Sequence, residues 1–232
     1  MKRIIYALLA GFLLIGPMAC KKDETPAPSL SNSPEALAEH DNKSGGIYKG
    51  TFANSSKSGR LKINLQGGKK EINITFGGES RTLTTAALGS WTSGTEIVAA
   101  PFASGDWSIT LSIAADGSVV TVSDLNLAGV TSVDGALRKE LSTAIVKVYE
   151  GTYSGDDSGK WNFTVQNDVI KGVYAGGSGS DNFSGGVVGT AITIVTTGSV
   201  SASGSFSTDG NSASGSWTGS SSAGSWSGSR TM

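Results

Sequence analysis

The chain has 232 residues, with 18 Lys and Arg against 19 Asp and Glu, one His and one Cys, for a formal charge of −1. That balance lacks the basic footprint of a nucleic-acid-binding protein, so no nucleic-acid partner is expected. Cys20 and His40, the sole residues of their kinds, both precede the strand-like part of the chain. The chain beyond His40 has no imidazole or thiol, which excludes zinc sites built on those groups, Ser-His-Asp triads and Cys-His pairs, and no cofactor is expected.

In chain order, Lys2 and Arg3 precede an apolar run from Ile4 to Ile15. As a helix this run would reach roughly 18 Å against a bilayer core of about 30 Å, which fits a signal-peptide core and not a transmembrane span. Next come Pro17-Met18-Ala19-Cys20 and then Lys21-Lys22-Asp23-Glu24. The first motif resembles the lipobox of bacterial lipoproteins, in which the Cys is acylated and becomes the mature N-terminus. The second is similar to the charged tag that favours export to the outer face of the outer membrane in lipoproteins of Bacteroidota. The resemblance implies a signal peptide over 1–19, a lipid on Cys20 that anchors the chain in the outer membrane facing the cell exterior, and a mature formal charge of −3 once Lys2 and Arg3 are removed. Two acyl modifications, as in that family, make such an anchor stable.

Residues 20–45 hold Pro26, Pro28 and Pro34 among Ser, Asn and charged residues, without sustained periodicity. They read as a disordered tether, with one helical turn allowed near Ser33–Glu39. From Gly46 the pattern becomes short alternating runs: Arg60–Leu65, Trp107–Ile113 and Trp161–Val165. Period two predicts strands with one dry and one wet face. Ala115-Asp116-Gly117-Ser118 and Asp209-Gly210-Asn211 supply hairpin turns. Strands at this spacing predict an all-β sandwich or barrel.

An internal repeat doubles the pattern. Ile47-Tyr48-Lys49-Gly50-Thr51-Phe52 recurs as Val148-Tyr149-Glu150-Gly151-Thr152-Tyr153, and Ser58–Ile63 recurs as Ser158–Phe163. This predicts two tandem antiparallel β-units, 46–131 and 148–232, with Tyr48 and Tyr149 equivalent. Between them, Asp134 as N-cap and Leu137, Leu141, Ile145 and Val148 on one stripe predict a connecting α-helix over 132–147, with Arg138-Lys139-Glu140 facing water.

Near the C-terminus, Gly204-Ser205-Phe206, Gly215-Ser216-Trp217 and Gly224-Ser225-Trp226 alternate rings and glycines on one parity with hydroxyls on the other. Large beside tiny residues suit the tapering interior of a small barrel. The functional alternatives are an exposed aromatic platform for stacking sugars or another flat ligand, and a ligand cavity lined by Trp161, Trp217 and Trp226. Gly176–Ser184 fits the calcium β-roll nonapeptide with Asp181 as its acid, but the next nine residues contain no acid, so no metal site is expected. Asp156-Asp157-Ser158-Gly159 reads as a turn, and Gly67-Gly68-Lys69-Lys70 opens no helix and so is no phosphate loop.

The Gly/Ser-rich pattern is similar to the small β-barrel modules of bacterial surface lipoproteins, such as transferrin-binding-protein-like barrels, and implies no iron or transferrin role. The expected function is a non-enzymatic, surface-anchored binding or display module with a protein or small-ligand partner. The runner-up is a calyx for a small apolar or sugar ligand. A glycosidase using paired carboxylates is the remote third, because the acids from Val148 onward are scattered among turn residues.

Overall fold

The computed structural model describes residues 30–177, 179–196 and 198–232. The expected signal segment 1–19, Cys20 and the start of the expected tether lie outside the described residues. The described chain is all-β. Its first eight strands are β1 (Gly46–Ala53), β2 (Ser58–Leu65), β3 (Glu71–Phe76), β4 (Glu79–Thr84), β5 (Ile97–Ser104), β6 (Trp107–Ile113), β7 (Val120–Leu127) and β8 (Asp134–Lys139). The next eight are β9 (Lys147–Gly155), β10 (Gly159–Gln166), β11 (Val169–Gly176), β12 (Gly179–Val188), β13 (Ala191–Thr196), β14 (Ser201–Phe206), β15 (Ser212–Thr218) and β16 (Ala223–Arg230).

Each set is an antiparallel meander in which the first strand pairs with both the second and the last. β9–β16 close into a barrel, whereas β1–β8 form a barrel-like sheet in the order β7-β6-β5-β4-β3-β2-β1-β8. The duplication extends to register. Tyr48 lies opposite Ile63 and Phe52 opposite Gly59, as Tyr149 lies opposite Phe163 and Tyr153 opposite Gly159. Tyr48 also faces Lys139 across β8 as Tyr149 faces Arg230 across β16, so the opening hairpins and the closing strands correspond.

The first core gathers Tyr48, Ile63, Ile74, Phe102, Trp107 and Leu111 with their inward neighbours. The second is aromatic: Tyr149 stacks on Phe163 at 4.9 Å, and Trp161 on Phe183 at 4.5 Å. The Gly/Ser strands allow this because the barrel closes tightly around the rings. A Cβ on Gly215 would collide with the Ser203 carbonyl, and one on Gly204 would stand 2.6 Å from the Trp226 ring. Serines of opposite parity face water, as the alternation predicts.

The two barrels pack side by side. β1 is buried on both faces: Tyr48 and Phe52 point into the first core, while Ala53 packs on Val173 and Ala175 of β11. Hydrogen bonds cross the junction from Ser180 Oγ to Asp134 (2.5 Å) and from Gln166 Nε2 to the Lys139 carbonyl (2.9 Å), and Arg60 pairs with Glu150.

Two expectations are corrected. No helix spans 132–147: Asp134–Lys139 is β8, paired with β1 from Tyr48 to Ala53. The helical stripe is overridden because β1 would otherwise present an unpaired edge at the centre of the molecule, and Gly135, Ser142 and Thr143 add little helix propensity. The Asp134 carboxylate therefore accepts from Ser180 and caps nothing, and Glu140, expected in water, is fully buried. The first unit accordingly runs through 139 instead of ending at 131.

The described part of the tether is likewise no free linker. Residues 30–45 form a strap across both barrels, with one 3₁₀ turn at Ala38–His40. At its start, Arg230 donates to Asn32 Oδ1 (2.7 Å) and to the Ser31 carbonyl. Glu35 accepts from Lys49 (2.9 Å) and Lys62 (2.8 Å), and Asp41 accepts from the Ser142 N–H (2.8 Å) and hydroxyl (2.7 Å).

The strap should loosen in acid. Burial raises the Glu35 pKa, but hydrogen bonds from Lys62 and Lys49 outweigh it and hold the carboxyl below its ordinary 4.5. A depressed folded pKa stabilises above the unfolded value and loses that contribution as pH falls through the folded one. Between pH 7 and pH 3.5 the urea midpoint should therefore fall more for the wild type than for Glu35→Gln. Equal falls would mean that the Glu35 contacts add nothing to stability.

Candidate functional site

The two barrels differ where strands seven and eight meet. In the second, β15 and β16 pair without interruption from Ser212–Ser229 to Thr218–Ala223. In the first, no ladder joins β7 to β8, and across that seam almost no Cα–Cα separation falls within 8 Å. Paired strands lie only about 4.8 Å apart. Side-chain complementarity accounts for the difference. Across β15 and β16 each inward tryptophan faces a glycine, Trp217 opposite Gly224 and Trp226 opposite Gly215, whereas β7 and β8 bring Val120, Val122, Leu125 and Leu137 inward with Gly135 as their one glycine.

A β-bulge adds to the separation. The β6–β7 register slips between Ser108 and Thr110, and Asp124, at φ 45°, is the extra residue. It moves the inward parity from Val120 and Val122 to Leu125 and Leu127. The connection to β8 turns sharply, with Ala128 at φ 52° and mutual hydrogen bonds between Leu127 and Val130 (2.9 and 3.2 Å).

The resulting cleft has a volume of about 450 Å³. Its floor is Phe52, Leu61, Val122 and Leu137, and its rim carries Thr121, Ser123 and Ser132. Asp124 is its one charged lining residue among the described residues. Another loosely paired junction, β4 with β5, meets only at Thr84 and Ala103, but there the intervening loop lays Leu88 and Trp91 against the core. At the β7–β8 seam the loop lays only Val130 and Val133 against the core, and among the described residues nothing closes the cleft between the strands.

Past Val120 and Leu137 the cleft continues into a polar recess flanked by Asp41, Asp116, Arg138, Lys139 and Lys171. Burial holds the Lys139 ammonium below its ordinary pKa, with Asp41 and Asp116 opposing, and its Nζ sits 5.5 Å above the Tyr48 ring. Asp116 is held low by the N–H and then the hydroxyl of Ser118, and burial pushes the Tyr48 phenol up. Burial lowers the Arg138 pKa, and its Nε has no acceptor among the described residues.

The tryptophans singled out in the sequence come together inside the second barrel. Trp161 and Trp226 stack at 5.8 Å, and Trp217 meets Tyr153 edge-on at 5.9 Å. All three are at most 5% exposed. The Trp217 and Trp226 indoles donate to the Ser154 and Ser203 carbonyls (3.2 and 3.3 Å), while Trp161 Nε1 has no acceptor among the described residues. Asp181 lies on β12 opposite Tyr174, in an antiparallel hairpin and not in the successive parallel turns of a calcium β-roll. Asp156 and Asp157 form the β9–β10 turn, accepting from the Ala223 and Ser158 N–H groups (2.8 and 2.7 Å). Among the described residues, no three His, Cys, Asp or Glu side chains converge to hold a metal ion. Compared with protein-family models and with curated proteins, the chain matches none.

Proposed function

We propose that this chain is a non-enzymatic binding module, anchored in the outer membrane through a lipid on Cys20 and facing the cell exterior, with the β7–β8 cleft as its binding element. One observation carries the reading: two barrels of the same strand order differ in that the first stays open over an apolar floor. The second barrel, filled with rings, serves as the support. The small-ligand calyx reading then attaches to the cleft and not to Trp161, Trp217 and Trp226, which pack on other rings of the interior. Carboxylate catalysis has less support, because Asp156, Asp157 and Asp209 spend their oxygens on turn donors. With the strap beginning at Leu30, ten residues after Cys20, the module would sit at most about 35 Å from its lipid, close to the membrane surface.

The test uses residues 20–232 with Cys20→Ser, which contain the whole described fold. Nile red, neutral and apolar, should titrate to one saturable site that is lost in Val122→Lys, a change that charges the cleft floor. Absence of a saturable site, or one indifferent to Val122→Lys, overturns the seam as the binding element. Mass spectrometry of the native mature N-terminus should find acylated Cys20, and an unmodified residue there removes the anchor.

A further inference from the structure

We infer that the cleft accepts an extended peptide segment from another protein as an added β-strand; this rests on the seam being the binding element. The backbone is the reason. Among the described residues β7 pairs only with β6 and β8 only with β1, so alternate N–H and C=O groups of both edges point into the cleft. No described hydrogen bond links the two edges. A ligand covering the cleft must satisfy those groups, and an acyl chain or aromatic small molecule carries nothing to do so. An extended peptide presents the complementary donors and acceptors at the same repeat.

Width and lining agree. A strand between β7 and β8 requires them to stand two strand spacings apart, roughly 9.5 Å, and the seam is already wider than 8 Å over nearly its whole length. With apolar residues below and hydroxyls on the rim, the cleft suits a segment that alternates apolar and polar side chains. The edges are eight and six residues long, which sets the segment at six to eight residues. β7 and β8 run in opposite directions, so the guest is antiparallel to one and parallel to the other. Asp124 selects a guest with a basic residue near its middle. The same bulged, charged position disfavours a second copy of this chain, since two β7 edges would bring Asp124 against Asp124.

The probe is a blocked heptapeptide of alternating Thr and Val with a central Lys, tested against the same peptide N-methylated at alternate backbone nitrogens. Amide hydrogen exchange is monitored on the Cys20→Ser chain. Without peptide, seam-facing amides of Val120–Asn126 and Asp134–Lys139 should exchange at least roughly tenfold faster than those of β15 and β16. Saturating peptide should slow both edges by a similar factor and displace Nile red, the methylated peptide should do neither, and Asp124→Asn should weaken binding several-fold. Protection on one edge or none, or equal action by the methylated peptide, overturns the inference. So does edge protection that rises with protein concentration alone and accompanies dimerisation, which would make a second copy the occupant. If Nile red still titrates while the peptide protects nothing, the strand inference fails and the binding cleft stands. If neither binds, both fail.

Discussion

Trp226→Ala should destabilise the protein by about 3–5 kcal/mol, the range for removing a large buried aromatic from a packed core. The ring is 2% exposed and stacks on Trp161 at 5.8 Å. It also meets Phe163 edge-on at 6.2 Å and donates its N–H to the Ser203 carbonyl at 3.3 Å. Its loss empties the middle of the second barrel, where Gly204 and Gly215 offer no side chain to collapse into the space. A domain whose total stability is about 5–15 kcal/mol would be brought near unfolding. Urea denaturation monitored by near-UV circular dichroism measures the loss, with Ser225→Ala, the outward neighbour, expected within about 0.5 kcal/mol of the wild type. A cost below about 1 kcal/mol for Trp226→Ala would mean the interior is not close-packed, and the calyx reading would return to the tryptophans.

The strands and the duplication were legible because both are local. Period two in Trp107–Ile113 and Trp161–Val165 became β6 and β10, and the Tyr48 and Tyr149 motifs became hairpins of one register. Sequence likeness fades past the third strand of each half because inward positions there need only fill volume, with Val and Leu in one barrel and Gly and Trp in the other. The helix expected over 132–147 came from a coincidence of spacing. Leu137 points into the first barrel, and the edge of β1, more than eighty residues upstream, decides the conformation. The seam was not legible either, since nothing in Val120–Leu127 states that its next strand will pair elsewhere. The one available signal was comparative: across β15 and β16 each inward tryptophan meets a glycine, whereas β7 and β8 carry Val120, Val122, Leu125 and Leu137 inward with Gly135 as their one glycine.

The strap, the two barrels and their linker meet at one buried ion pair, which local sequence could not indicate because its members lie 91 residues apart. Lys49 and Glu140 are 2% and 0% exposed and bond at 2.8 Å. The same Glu140 oxygen accepts from the Val146 N–H at 2.9 Å, and its other oxygen accepts from the Glu35 N–H at 2.7 Å. Glu140→Ala should therefore cost about 3–5 kcal/mol, because it strands a buried ammonium and two backbone donors. Glu35, 2.9 Å from Lys49, keeps the loss at the lower end of that range. The double change Lys49→Met with Glu140→Met should recover the part owed to the stranded ammonium, while the Val146 and Glu35 N–H groups still lose their acceptor. The strap would still lose its bond from the Glu35 N–H, so protease cleavage within residues 30–45 should be faster in both variants than in the wild type, while urea stability separates them. If the double variant proves as unstable as Glu140→Ala, the pair's charge is not what matters at the junction. The backbone bonds to Glu140 would then be what holds strap, linker and barrels together.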